Sequence, residues 1–246
     1  YQTSRQASCK RINLYTMNVN SNAYTYTFAT VMVVLVAVLL SGASLGLKSK
    51  QESNVKQEKM QSILASVGVQ VDRSEAQSAY DDVIKQVLTI KGGSVVSEDR
   101  ETGFNVDMAK AIKLSNMERE APLYVANKDG ETFYIVPMRG KGLWGPVWGF
   151  VALESDGNTV IGATFDHKSE TPGLGAEITT PMFTDQFPGK KISEAGEFKS
   201  ISVVKAGTSS GDYAVDGISG GTITSNGVND MMVDCLAPYA AYFKNI

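Results

Sequence analysis

Asp216-Gly217-Ile218-Ser219-Gly220-Gly221-Thr222-Ile223-Thr224-Ser225 packs one acid, three glycines and four hydroxyl residues into ten positions. Glycines let a backbone turn sharply and let a ligand come close to it. Downstream, Val228, Met231, Met232, Cys235 and Leu236 recur at helical spacing. The stretch therefore predicts a tight loop opening onto a helix. The first turn of a helix presents free N–H groups and partial positive charge, which suits a phosphate. Read alone, the same residues also fit a plain turn followed by an N-cap, which Ser and Thr supply routinely.

Upstream, the pattern is that of strands. Residues 123–126 and 132–136 flank Asp129-Gly130, a hairpin signal. Residues 147–153 and 159–165 flank a second turn at 155–158, and 201–204 reads as a further short strand. Strands joined by hairpins, with helices at both ends, predict an α+β fold with an antiparallel sheet and flanking helices. Before them, Met60, Ile63, Leu64 and Val67 share one helical face, and so do Tyr80, Val83, Ile84 and Val87. Asp72 with Glu75 resembles a capping box for the second of these helices. Residues 91–103 are polar and glycine-containing and read as a loop.

The N-terminal part holds a different signal. Residues 28–47 carry no charge. At ~1.5 Å per residue they span ~30 Å, the thickness of a bilayer core. A cleaved signal peptide competes, with a small-residue site near Ser41–Ser44. The length of the run favours a transmembrane helix, with Tyr24 and Tyr26 suited to the interface. Gly42 and Gly46 allow close contact with another membrane helix. Arg5, Lys10 and Arg11 precede the span while Lys48, Lys50 and Lys56 follow it, so charge leaves the orientation open. Met17 reads as a natural start. The domains expected are an extension at 1–27, the span at 28–47, a juxtamembrane helical and loop segment at 48–121, and a ligand-binding domain at 122–246.

Composition narrows the chemistry. Among 246 residues the net charge is −3, which gives no electrostatic footprint for nucleic acid. Two distant cysteines, Cys9 and Cys235, and one histidine argue against a metal centre built by this chain alone. Gly140-Lys-Gly-Leu-Trp-Gly145 matches a dinucleotide fingerprint, but Pro146 and a strand-like run follow it where a helix is required. Gly217-Ile-Ser-Gly-Gly221 matches a nucleophile elbow, yet no histidine follows Ser219 to complete a triad. In His167-Lys-Ser-Glu-Thr-Pro-Gly-Leu-Gly175, Pro172 holds Thr171 extended. Gly173 and Gly175 free the backbone around Leu174.

Taken in order, Gly-Leu-Trp-Gly-Pro, Glu-Thr-Pro-Gly-Leu-Gly and Asp-x-x-Ser-Gly-Gly-Thr resemble the motifs of the FMN-binding domain family. The resemblance extends from Met17 to the C-terminus. Members of the family with a single N-terminal span serve in sodium-translocating NADH:quinone reductases and in Rnf complexes. The Gly-Leu-Trp-Gly-Pro-Val-Trp-Gly stretch and the long section before the first strand are more similar to the former. Gly221 stands where the family usually has Ala.

The resemblance implies FMN joined by a phosphoester to Thr222, with Asp216, Ser219, Gly220, Gly221 and Thr224 around the attachment point. It implies that Glu170, Thr171, Gly173, Leu174 and Gly175, with Leu143 and Trp144, meet the ring. The expected role is electron carriage rather than substrate chemistry, with no catalytic acid, base or nucleophile. The implied setting is the periplasmic side of a bacterial inner membrane. The implied partners are the other subunits of a membrane redox complex, lipid, and a flavin transferase during maturation. An Rnf-type subunit with the same cofactor and a non-redox membrane-anchored scaffold are the alternative readings.

Overall fold

A computed structural model describes residues 19–244 of the chain. The extension expected at 1–27 therefore falls largely outside the described residues, as do Met17 and Cys9. The chain divides into two units, with the boundary after Ser53. In the first, the described residues enter helix α1 (Asn22–Ser66), whose apolar stretch is solvent-exposed and long enough to cross a membrane.

In the second unit, the end of α1 is followed by α2 (Ala76–Val83), β1 (Ile84–Lys91), β2 (Ser94–Ser97), α3 (Arg100–Phe104) and α4 (Met108–Ala111). Then come β3 (Ala121–Lys128), β4 (Glu131–Lys141), β5 (Pro146–Leu153) and β6 (Val160–His167). A 3-10 turn (Gly175–Thr179) precedes α5 (Pro181–Thr184), β7 (Ser193–Glu194), β8 (Glu197–Phe198), β9 (Ser202–Val204), β10 (Ala214–Asp216) and α6 (Thr222–Phe243).

Six strands form one antiparallel sheet in the order β2-β1-β3-β4-β5-β6. At the β3–β4 hairpin both central residues are left-handed, Asp129 at φ 55° and Gly130 at φ 86°, as the predicted Asp-Gly turn requires. Each face of the sheet is covered. On one, α6 packs Val228, Met231, Met232 and Leu236 against Val136, Met138 and Val151. On the other, Met60, Ile63 and Leu64 from the end of α1 meet Ile135, Phe150 and Ala152. Strand β5 lies under both layers, which is why its sequence reads as a nearly unbroken apolar run.

Four expectations are corrected. Residues 60–67 are not a separate short helix but fall within α1 and the turn that ends it. The helix expected over 80–87 stops at Val83, and Ile84 starts β1, which pairs with β3. Tyr80, Ile84 and Val87 do share one buried cluster, but a helix and then a strand deliver them to it. The run Val87-Leu-Thr-Ile90 suits a pleated, buried surface, and sheet pairing outweighs the helical spacing. The Asp72/Glu75 box is absent: Glu75 itself occupies the N-cap position of α2 and makes no side-chain cap bond. Within residues 91–103, Gly92 and Gly93 take positive φ and turn the chain into β2, so that stretch is only partly loop. The strand expected at 201–204 is β9, and it pairs with β10 in parallel, apart from the main sheet.

The approach of α6 to β4 is set by two glycines. A Cβ on Gly140 would stand 2.7 Å from the Cβ of Met231, and one on Gly227 would overlap the carbonyl oxygen of Lys141. Gly140, the first glycine of the rejected dinucleotide fingerprint, thus serves helix-on-sheet contact. Cys235 lies buried on the same helix; its Sγ accepts from the Arg139 N–H at 3.3 Å, and burial pushes the thiol up to about 11. Replacing a mid-helix glycine by alanine normally stabilises by ~1 kcal/mol. Here the clash reverses the sign, and Gly227→Ala is expected to destabilise the domain by ~1–3 kcal/mol, read as a lowered urea midpoint at unchanged slope.

Candidate functional site

The residues that open α6 meet two loops of the sheet. The first joins β4 to β5, where the Gly142 N–H donates to the Gly145 carbonyl at 2.8 Å and presents Leu143 and Trp144 outward. The second follows β6 and carries Glu170 to Gly175. It is folded by the Leu174 and Ala176 N–H groups donating to the Thr171 carbonyl. Its Gly173 turns at φ 77°, with its N–H on the Glu177 carboxylate at 2.8 Å.

Glu170 ties these pieces together. It is 5% exposed. One carboxyl oxygen accepts the Trp144 N–H at 2.8 Å, and the other accepts the Thr224 hydroxyl at 2.6 Å. Its own N–H donates to His167 Nδ1 at 3.1 Å. Two glycines make room for it: a Cβ on Gly142 would stand 2.5 Å from one oxygen, and a Cβ on Gly175 would stand 2.6 Å from the other.

Around this knot lies a pocket of about 220 Å³. Leu143, Glu170, Thr171, Leu174, Gly175, Gly220, Gly221, Thr222, Ile223 and Thr224 line it. Thr222 is at the first position of a 22-residue helix whose N-cap is Gly221, and no side chain caps that end. The lining includes no Lys or Arg. Its apolar rim is open: Leu143 is 47% exposed, Leu174 42% and Ile223 57%.

Nine of the thirteen residues singled out from sequence line this one pocket. Trp144, 65% exposed, does not line it but contributes its N–H to Glu170. Gly173 and Ser219 sit in the turns that flank it. Asp216 stands behind it as a fastening: its carboxylate accepts the N–H groups of Thr208 at 3.0 Å and Ser209 at 2.8 Å. Its backbone exchanges two bonds with the Gln186 side chain.

Sequence reasoning passed over three residues. Ile223 lines the pocket, and its only signal was an apolar residue between two threonines at a helix start. Ser225, whose hydroxyl accepts the Ile218 N–H at 2.9 Å, closes the loop. Gln186 gave no signal at all.

This site and fold define a class. Residues 142–237 match the FMN-binding domain family. The chain is 34% identical over 213 residues to the NqrC subunit of the Na(+)-translocating NADH-quinone reductase of Vibrio campbellii, covering 78% of this chain and 82% of that one. It is 33% identical to the same subunit of Yersinia pestis, covering 79% and 80%. The crystal structure of the corresponding subunit from Parabacteroides distasonis superposes with a TM-score of 0.73 at 46% identity, covering 80% of this chain and 96% of that one. The NqrC of Shewanella oneidensis does so at 0.63 and 27%, covering 78% and 99%. The chain belongs to the NqrC family of the Na(+)-translocating NADH-quinone reductases.

Two outcomes test the geometry. Glu170→Ala leaves the Trp144 N–H and the Thr224 hydroxyl without their acceptor and is expected to lose ~1–3 kcal/mol in urea unfolding. The second concerns pH. Hydrogen bonds to the carboxylate, that of the Ser209 N–H foremost, hold Asp216 below its ordinary value. The folded chain then binds fewer protons than the unfolded one, so this contribution is complete above the ordinary aspartate value of ~3.9 and fades as pH falls through the lowered one. Exchange of the Thr208 and Ser209 amides should quicken, relative to intrinsic rates, as pH falls below about 4.

Proposed function

We propose that this chain carries FMN covalently on Thr222 and relays electrons within a sodium-translocating NADH:quinone reductase, with its soluble domain on the periplasmic side of a bacterial inner membrane. The observation that carries the reading is the Thr222 hydroxyl, at an uncapped helix start, lining an open apolar pocket with no cationic residue.

The residues present fit the group. The first turn of α6 offers N–H groups and the positive end of the helix dipole to a phosphate. Leu143, Leu174 and Ile223 offer apolar surface to a flat ring. When bound, the flavin supplies the redox chemistry; the protein supplies position and electrostatics. With no Lys or Arg in the pocket, a free phosphate dianion would be weakly held. Esterification lowers that charge and removes the dissociation equilibrium. The rim can then stay open for exchange of electrons with another subunit.

Within the site, Glu170 fixes the two loops against α6. Asp216 and Gln186 fix the strand that leads into the Gly217–Gly221 turn. Thr222 is an attachment point and takes no part in turnover. Its place on the pocket wall leaves the hydroxyl within reach of a flavin transferase on the folded chain. The apolar run of α1 serves as the membrane anchor. The NADH and sodium steps are assigned to other subunits of the complex.

The intact mass of the chain purified with its natural complex should exceed the sequence mass by one FMN less water, about 438 Da, located on the Thr222 peptide. Thr222→Val should abolish the added mass and quinone reduction by the complex, while leaving the unfolding midpoint unchanged. Full activity in that variant would overturn the reading.

A further inference from the structure

We propose that β6 is a docking edge for an extended, basic segment of another subunit of the assembly. β6 is the last strand of the six-stranded sheet, so one of its sides has no strand neighbour. At its start that side is covered: the Val160 N–H donates to the Lys190 carbonyl at 2.8 Å, and the Val160 carbonyl accepts from the Gly189 N–H at 2.7 Å. Over residues 162–166 the outward backbone groups have no backbone partner among the described residues. Such a row of unpaired N–H and C=O groups is a template for an added strand.

The edge forms the floor of an open slot of about 600 Å³. Five consecutive residues, 161–165, make that floor. At ~3.3 Å each they offer about 17 Å of strand. One wall is the end of α1 with Gln61 and Ser62; the other is α5 with Thr184 and the adjoining Asp185. The slot therefore accepts an extended chain. A helix has its backbone groups satisfied internally and would gain nothing from this floor.

Charge selects the occupant. Glu58 and Asp185 line the slot, both exposed, and no Lys or Arg lines it. Neither carboxylate has an ion pair among the described residues. An incoming strand with Lys or Arg would supply the missing charge. Edge-to-edge pairing with a second copy would bring the same two acids together, which disfavours it. The relatives described above are subunits, so another chain of the same assembly is the natural source. The proposal is independent of the flavin on Thr222.

The test uses the full chain in the assembled membrane complex, with a photoreactive benzoylphenylalanine in place of Thr179, an exposed residue of the slot. The expected product is a cross-link to another subunit, at a peptide with Lys or Arg next to the linked residue. Glu58→Lys with Asp185→Lys should lower its yield about tenfold or more. Glu58→Gln with Asp185→Gln should lower it less, and both variants should keep the parent melting temperature and bound flavin. If the double reversal lowers the melting temperature, each single reversal is scored in its place. A cross-link only to lipid or to a second copy, a linked peptide without a cation, or a yield indifferent to reversal would overturn the proposal.

Discussion

Everything in the candidate site depends on the carboxyl group of Glu170. Burying it is favourable only if its oxygens are matched by donors. The chain matches them from two distant places, a backbone N–H in the β4–β5 loop and a hydroxyl in the first turn of α6. Because both donors must be present together, the loops cannot choose their positions independently. Gly142 and Gly175 are the complement of this arrangement, since a side chain at either would take the space of the carboxyl oxygens. The pocket is what remains once these three pieces are held in place.

A second constraint acts from behind. The sheet gives α6 a surface, and Gly140 and Gly227 let the helix settle so closely that backbone meets backbone. Asp216 fastens the strand before the turn, so the chain arrives at Gly217 from a fixed direction. Between these two fixed ends, the Gly217–Gly221 turn has little freedom, although it contains three glycines. A glycine-rich stretch is permissive in isolation and well defined here, because its neighbours are rigidly placed.

These relations bear on what could be read in the sequence. The Asp129-Gly130 hairpin, helix α6 and the loop-then-helix at its start were legible because each rests on neighbours a few residues apart. The Asp-x-x-Ser-Gly-Gly-Thr motif singled out Thr222, and motif order brought in Glu170 and Leu143. The bond between Glu170 and Thr224 joins residues 54 apart, and no local pattern announces it. Residues 80–87 misled because their apolar positions satisfy one helical face, while a short helix and a strand reach the same core by another route. Gln186 was invisible, since a glutamine's role depends wholly on which backbone passes it.

The contact between Gly227 and the Lys141 carbonyl has one more consequence. Together with the contact of Gly140 on Met231, it fixes α6 against the sheet, so the helix can neither slide nor rotate. Thr222 lies a fixed number of residues before that contact. Each residue of an α-helix turns the chain by about 100° and advances it by ~1.5 Å. Inserting or removing one residue between them would swing the threonine away from the pocket without altering any residue that lines it. The interval between the two positions is a ruler, and its length matters to the site as much as the identity of the residues at either end.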